Sequence, residues 1–215
     1  MPRAASVLGG PRLIDYAVKY HSKLLNALAE HLQMVLIALA LSLILAAILT
    51  LIAMFSARTG KVLTQLFSAV YSIPSLALFA LMMPITGLGQ KTAIIVLVFY
   101  NQYIMLRNFI TGLNEVDPAI IEAAAGMGFT RLQVIFKVRL PLAKKPLFVG
   151  VRLAVISTIG IATIAACINA GGLGWILFDG LRTSNTVKIM WGSILAAGLA
   201  IATNAALVTI EKRIK

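Results

Sequence analysis

Long apolar runs separated by short polar connections fill most of this 215-residue chain. The first run, 32–55, contains no charged residue. A helix needs about 20 mostly apolar residues to cross a bilayer, so such a run predicts a transmembrane helix. The pattern therefore predicts an all-α, polytopic membrane protein with five transmembrane helices, at 32–55, 62–85, 92–110, 146–170 and 187–210, the second interrupted by Pro74.

The composition excludes most soluble classes of protein. Hydrophobic residues make up 60% of the chain and charged residues only 12%, whereas a soluble domain has about 45–50% apolar and about 25% charged residues. Disordered chains are poor in apolar residues, so disorder is excluded as well.

The basic excess predicts how the chain is oriented. Nineteen Lys and Arg residues stand against seven Asp and Glu, which gives a net charge of +12. Most of the basic residues lie between apolar runs, which is typical of cytoplasmic loops beside anionic lipid and not of a nucleic-acid surface. If the segment from Arg107 to Arg152 is cytoplasmic, twelve of the nineteen lie on that side. We therefore predict an N-out/C-in orientation.

The first 31 residues differ from the rest of the chain. Leu13, Ala17, Leu24 and Leu28 recur at helical spacing and form an apolar stripe. A helix of this kind can lie in the membrane interface without crossing it. We predict an N-terminal interfacial helix at 1–31, followed by a transmembrane domain at 32–211 that contains a cytoplasmic loop at 111–145.

No pattern in the chain predicts catalysis or metal binding. Cys167 is the single cysteine, which excludes an internal disulfide and a cysteine metal cluster. Lys91-Thr92 follows Gln90, where a nucleotide-binding loop requires Gly. No Asp or Glu lies in the middle of a predicted span, although ion-coupled transporters usually keep buried carboxylates there. We expect no catalytic residue, no metal site and no cofactor in this chain.

Several polar side chains in or near the predicted spans are expected to have structural roles. His21 and His31 are expected at the membrane interface. Arg152, near the start of the fourth span, is expected to extend its guanidinium to the cytoplasmic headgroups. Hydrogen bonds between helices are expected for Asn101, Asn169 and Asn204.

The longest polar segment, 111–145, lies between the third and fourth predicted spans and contains three of the seven acidic residues. Asp117 followed by Pro118 predicts a helix start, because the carboxylate accepts from free amides and proline suits the first helical position. Gly126 and Gly128 are expected to end this helix, as a cap or as a turn. A long polar loop in a chain that otherwise consists of spans is a candidate functional site.

A second short helix is expected in this loop, capped by Thr130 and ending at Leu140-Pro141. The spacing Glu122-Ala123-Ala124, Gly128, Val138-x-Leu140-Pro141 resembles the EAA loop of ABC-importer membrane subunits, with Val138 in place of Ile. The resemblance implies that the loop docks as a coupling helix into a groove on a separate ATPase subunit, which carries ATP and Mg. The implied coupling residues are Glu122, Ala123, Ala124, Gly126, Gly128, Phe129, Leu140 and Pro141.

Within this resemblance Glu122 is expected to hold the short helix, by pairing with a base or by capping backbone amides. Gly128 would then present a flat surface to the ATPase.

Other stretches resemble the glycine betaine/carnitine/choline permeases, a narrower branch. They are 71–79, 87–89, 126–130, 150–152, 159–163 and 170–174. The resemblance implies a permease in the bacterial inner or plasma membrane, surrounded by lipid. Its implied partners are the ATPase, a second permease copy or homologous permease, and a substrate-binding protein, with no nucleic acid. Candidate pathway or gate residues are Tyr71, Pro74, Ser75, Thr158 and Thr163, although a simple kink also explains Pro74.

Two alternatives remain open from the residues. The chain is an importer permease for methionine or another small solute, or it is a membrane scaffold that recruits a soluble partner through the same loop without transport.

Overall fold

The computed structural model describes the backbone of residues 10–214 and the side chains of residues 13–214. Every regular element in this range is helical. In chain order they are α1 (Gly10–Phe55), α2 (Ala57–Ser72), α3 (Ser75–Thr86), α4 (Gln90–Asn114), α5 (Pro118–Gly126), α6 (Arg131–Val134), a π-helix (Ile135–Arg139), α7 (Leu140–Leu142), α8 (Lys144–Ile164), a 3₁₀ helix (Ala165–Ile168), α9 (Leu173–Arg182) and α10 (Thr186–Glu211).

Four described helices are long and apolar enough to cross a membrane, and the number rises to five when α2 and α3 count as one broken span. The break lies at Pro74, inside the predicted second span. The prediction of an all-α, polytopic membrane protein is therefore confirmed, and the N-out/C-in orientation stays a prediction.

Helix α1 continues through the expected domain boundary at residue 31. Only Tyr20 departs from helical geometry, with φ −117° and ψ 21°, and it marks a kink. Ala17, Leu24 and Leu28 of the apolar stripe share a cluster with residues of α9 and α10. The interfacial placement of 1–31 stays a prediction, and residues 1–9 lie outside the described residues.

The chain divides into two compact units. The first comprises Met1–Ala38, Ile73–Leu97 and Ser157–Thr203, and the second comprises Leu39–Ser72, Val98–Ile156 and Asn204–Lys215. The polar loop 111–145 therefore lies wholly within the second unit.

The first unit is held together by α1, α9 and α10. Leu24 of α1 packs against Leu173 of α9, and the indole Nε1 of Trp191 donates a hydrogen bond to the Leu13 carbonyl oxygen at 3.0 Å. Asn169, expected to bond between helices, instead ends the 3₁₀ helix in the left-handed conformation, with φ 60° and ψ 32°.

The turn before α9 contacts α1. Gly171 and Gly172 have φ of 79° and 72°, in the left-handed region that favours glycine. Glu30 Oε2 accepts a hydrogen bond from Gly172 N at 3.1 Å. His31 is fully buried, and its Nε2 lies 3.2 Å from the carbonyl oxygen of Ile159. His31 therefore lies inside the unit and not at an exposed interface as expected; Nε2 has a backbone acceptor, whereas Nδ1 has no hydrogen-bond partner within the described residues.

Small residues let the helices of the second unit approach closely. Ala46 of α1 and Ala154 of α8 are fully buried in one cluster with Phe109 of α4. A Cβ added at Gly150 of α8 would lie 2.7 Å from Cβ of Asn108 in α4. Close backbone approach at small residues is typical of helix packing in membranes.

Polar side chains join the same helices. Asn101 Nδ2 donates to Ser42 Oγ at 3.1 Å, and Asn204 Oδ1 accepts from Arg152 Nη1 at 3.1 Å. Both asparagines therefore bond between helices, as predicted. Arg152 Nε also lies 2.9 Å from Glu211 Oε2. Arg152 thus pairs with Asn204 and Glu211, and its expected extension to the headgroups stays a prediction.

Candidate coupling segment and pathway residues

Residues 111–145 are called the coupling segment below, and α5 begins in it where the sequence predicts. Asp117 Oδ1 accepts a hydrogen bond from Ala119 N at 2.8 Å, and Pro118 occupies the first helical turn. The carboxylate satisfies an amide that has no partner inside the helix. The predicted helix start is confirmed.

Helix α5 ends in a Schellman motif. Phe129 N donates to Ala124 O at 3.1 Å, and Gly128 N donates to Ala125 O at 2.9 Å. Gly128 has φ of 85°, a conformation that residues with a Cβ rarely adopt. Gly126 is the last residue of α5 and does not have a positive φ. The break therefore depends on Gly128 and not on Gly126, which corrects the expectation that both end the helix.

A capping box starts the second short helix. Thr130 Oγ1 accepts from Gln133 N at 3.3 Å, and Gln133 Oε1 accepts from Thr130 N at 2.8 Å. The predicted Thr130 cap is confirmed. Helical backbone then continues through the π-helix and α7 to Leu142. The expected end at Leu140-Pro141 lies within one residue of the observed end at Leu142.

Arg139 anchors the coupling segment to α4. Its Nη1 donates to the Leu113 carbonyl oxygen at 2.8 Å and to Asn114 Oδ1 at 3.0 Å. Leu113 and Asn114 lie in the last turn of α4, where carbonyl groups lack intrahelical donors and a cation is favoured. Leu113 also forms a buried cluster with Val116 and Ala143. Sequence reasoning missed this anchor because its acceptor lies 26 positions away along the chain.

The outer surface of the coupling segment exposes large apolar side chains. Met127 is 70% exposed and Phe136 is 53% exposed. Ala124 is only 2% exposed and packs inward, and Phe129 is half-buried with the Lys137 ammonium 5.9 Å from its ring centroid. The remaining predicted coupling residues are exposed: Glu122, Ala123, Gly126, Gly128, Leu140 and Pro141. Met127 is therefore accessible to another protein.

Glu122 makes no hydrogen bond and no ion pair within residues 13–214. The expected pairing with a base or capping of amides is therefore not present, and Asp117 caps α5 instead. The exposed carboxylate of Glu122 remains accessible to another protein.

Tyr71, a predicted pathway residue, belongs to an aromatic cluster in the second unit. Its ring centroid lies 4.9 Å from that of Tyr103 and 5.5 Å from that of Tyr100. Tyr103 Oη accepts a hydrogen bond from Arg107 Nη1 at 3.0 Å.

The other four predicted pathway residues lie in the first unit. Pro74 immediately precedes α3, with φ −54° and ψ 134°, and Ser75 is the first residue of that helix. Thr158 is buried, and Thr163 Oγ1 donates to the carbonyl oxygen of Ile159 at 3.2 Å. The five residues thus belong to different units, and their role in a pathway stays a prediction.

An ion-pair cluster joins α9 to α10 in the first unit, and sequence reasoning missed it. Lys188 Nζ lies 2.7 Å from Asp179 Oδ2, and Arg182 Nη2 lies 2.9 Å from Asp179 Oδ1. The hydrogen bond from Lys188 and then that from Arg182 hold the pKa of Asp179 below its ordinary value. No group of three or more His, Cys, Asp or Glu residues suited to a metal ion occurs among the described residues.

Comparison with known proteins identifies the family. Residues 38–214 match the family described as "Binding-protein-dependent transport system inner membrane component". The chain is 33% identical over 192 residues to the glycine betaine/carnitine/choline transport system permease protein OpuCB of Bacillus subtilis (strain 168), covering 89% of this chain and 88% of that protein. It is 36% identical over 157 residues to the ergothioneine transport permease/ergothioneine binding protein EgtU of Helicobacter pylori (strain G27), covering 73% of this chain but only 28% of that protein.

A solved structure shares the fold. The MetNI methionine ABC transporter, in an inward-facing crystal form, contains a chain that superimposes with a TM-score of 0.81 at 22% identity, covering 89% of this chain and 96% of that one. The chain therefore belongs to the binding-protein-dependent inner membrane components: it is a permease subunit of a bacterial ABC importer, it lies in the inner or plasma membrane, and a separate ATPase subunit hydrolyses ATP.

Proposed function

We propose that this permease imports quaternary ammonium osmoprotectants and that its coupling segment docks on the ATPase at the cytoplasmic face. The observation that carries the docking site is the combination of a rigid segment with an exposed apolar surface. The Asp117 cap, the turn at Gly128 and the Thr130 capping box fix the backbone, while Met127 and the free carboxylate of Glu122 face outward.

The contacts beneath the segment supply a way to transmit force. Arg139 joins it to the end of α4, and the cluster of Leu113, Val116 and Ala143 packs against Leu147 of α8. Movement of the ATPase surface would therefore displace α4 and α8 with the segment as a rigid body.

A pathway requires more helices than one chain provides, so we infer that two permeases pair about a two-fold axis. ATP and Mg bound to the ATPase subunits would draw the two coupling segments together and open the pathway toward a loaded binding protein. Selectivity would lie mainly in that binding protein, where an aromatic cage can hold a quaternary ammonium group.

The proposed solute class rests on the narrower resemblance and on relatives such as OpuCB, which is named for glycine betaine, carnitine and choline. EgtU, named for ergothioneine, favours a second candidate solute. Uptake of labelled glycine betaine, carnitine, choline, ergothioneine and methionine into proteoliposomes tests the assignment directly. Uptake of methionine alone would contradict it.

ATP hydrolysis by the reconstituted complex separates an importer from a scaffold. Substrate-loaded binding protein should stimulate hydrolysis several-fold, while the unloaded binding protein serves as the control. Hydrolysis that is unaffected by the loaded binding protein would favour the scaffold and contradict import.

A further inference from the structure

An apolar groove of about 800 Å³ opens in the second unit beside the coupling segment. Fifteen of its 17 lining residues are apolar, among them Leu43 of α1, Phe109 of α4, Phe136 of the π-helix and Phe148 of α8. The volume falls within the range of about 300–1,000 Å³ that is typical of ligand sites. The two exceptions, Thr50 and Lys144, indicate the kind of ligand.

Thr50 places an unsatisfied hydroxyl in the groove wall. The residue is 5% exposed, and its Oγ1 has no hydrogen-bond partner within the described residues. A buried hydroxyl without a partner is unfavourable, so rotation of the Thr50 side chain toward a hydrogen-bond acceptor in the groove would be favoured. Thr50 lies five residues before the end of α1, or about 7.5 Å at the helical rise. With the end of α1 at the cytoplasmic membrane surface, as proposed, this distance matches the thickness of a leaflet's polar interface, about 5–8 Å, where lipid ester groups lie.

Basic residues adjoin the groove in the chain. Lys144 lines it and Lys145 follows, and neither makes an ion pair within the part of the chain that the structure describes. Ile214, another lining residue, follows Lys212 and Arg213. No Asp or Glu lines the groove.

We propose that the groove binds one anionic phospholipid of the cytoplasmic leaflet. An acyl chain fills the apolar groove, the Thr50 hydroxyl donates to an ester carbonyl oxygen, and Lys144 and Lys145 pair with the phosphate. The cytoplasmic leaflet carries the anionic lipid that this charge requires. A helix from a second permease copy would instead bury the Lys144 ammonium without a partner, which is costly. The site rests on the proposed cytoplasmic position of the coupling segment.

The groove also bears on coupling. Phe136 and Leu140 of the coupling segment form part of its wall, together with Leu51 of α1 and Val151 of α8. A bound acyl chain would therefore fill the space between the coupling segment and the helices α1 and α8. The lipid would hold the coupling segment in the position from which the segment displaces α8.

Native mass spectrometry of the delipidated full-length permease tests the proposal, with phosphatidylglycerol and phosphatidylcholine of identical acyl chains as probes. One phosphatidylglycerol should bind more tightly than phosphatidylcholine. Lys144→Gln/Lys145→Gln should weaken phosphatidylglycerol binding about fivefold per lysine and leave phosphatidylcholine unchanged. Thr50→Val should weaken both lipids about fivefold, because both carry ester groups.

Arg58→Gln/Lys61→Gln is the matched control, since it removes two exposed basic residues that do not line the groove. Equal binding of phosphatidylglycerol and phosphatidylcholine would overturn the proposal. An equal loss of phosphatidylglycerol binding in Lys144→Gln/Lys145→Gln and in Arg58→Gln/Lys61→Gln would overturn it as well. Ala47→Trp, which fills the groove, should expel the lipid; loss of the permease pair with lipid binding unchanged would show a protein interface instead. Lipid binding is measured without the ATPase, so normal ATPase copurification combined with failed lipid binding would contradict only this inference.

Discussion

Replacement of Gly128 by Ala should open the turn that ends α5, because the left-handed conformation costs a residue with a Cβ about 1–2 kcal/mol. Nothing lies within 4 Å of the position that the Cβ would take, so the cost comes from the backbone and not from a clash. A loss of this size corresponds to a factor of about 5–30 in the opening equilibrium. The amides of Gly128 and Phe129, which donate to Ala125 and Ala124, should exchange faster by that factor in hydrogen-exchange mass spectrometry.

Gly126→Ala is the matched control for this change. Gly126 is the last residue of α5, has no positive φ and also has nothing within 4 Å of a new Cβ, so the change should leave the turn closed and stabilise α5 by at most roughly 0.5–1 kcal/mol. Gly128→Asn should keep most of the protection, since Asn tolerates the left-handed conformation, yet should weaken ATPase copurification because its side chain projects from an exposed turn. Equal exchange in the Gly126 and Gly128 alanine variants would refute the assignment of the turn to Gly128.

Three more predictions concern the free carboxylate of Glu122, the Arg139 anchor and the Asp179 ion pairs. Glu122→Lys should leave expression intact but abolish stimulated ATP hydrolysis, with the exposed Glu115→Lys as control; unchanged stimulation would reject the coupling role. Arg139→Gln should lower the free energy of unfolding by about 1.5–3 kcal/mol, because hydrogen bonds from a charged group are lost; a thermal shift no larger than that of the exposed Arg131→Gln would count against the anchor. Folding lowers the pKa of Asp179, so its ion pairs stabilise the protein above the ordinary carboxyl pKa of about 3.9 and this stability is lost as pH falls through the folded pKa. Asp179→Asn should therefore make the melting temperature less dependent on pH below about pH 4. The same pH dependence of the melting temperature in the wild type and the variant would contradict this.

The sequence predicted those features that depend on local patterns. Apolar runs identified the spans, and the caps at Asp117 and Thr130 follow from residue types that satisfy free amides within three positions. The break at Gly128 was placed correctly, but local reasoning assigned it equally to Gly126, because only the observed φ distinguishes the two glycines.

The features that the sequence did not predict depend on contacts between distant positions. His31 Nε2 bonds to a carbonyl oxygen 128 positions away, and Arg152 bonds to a side chain 52 positions away. Each residue type suits an interface as well as a buried site, so its environment depends on tertiary packing. Helix α9 was not predicted, because its ten residues lie between two predicted spans and are too few to cross a bilayer. The sequence likewise could not show that the Glu122 carboxylate makes no hydrogen bond or ion pair within the described residues.

Accessibility of Met127→Cys, in a Cys167→Ser background, tests the central claim that the coupling segment faces the cytoplasm and contacts the ATPase. Met127 is 70% exposed, so a membrane-impermeant maleimide should label it in inside-out vesicles but not in right-side-out vesicles. Co-expressed ATPase should block that labelling. Leu181→Cys on α9, which is 52% exposed and predicted to lie outside, should show the reverse sidedness and no effect of the ATPase. Labelling of Met127→Cys only from the outside, or at the same rate with the ATPase bound, would contradict the account.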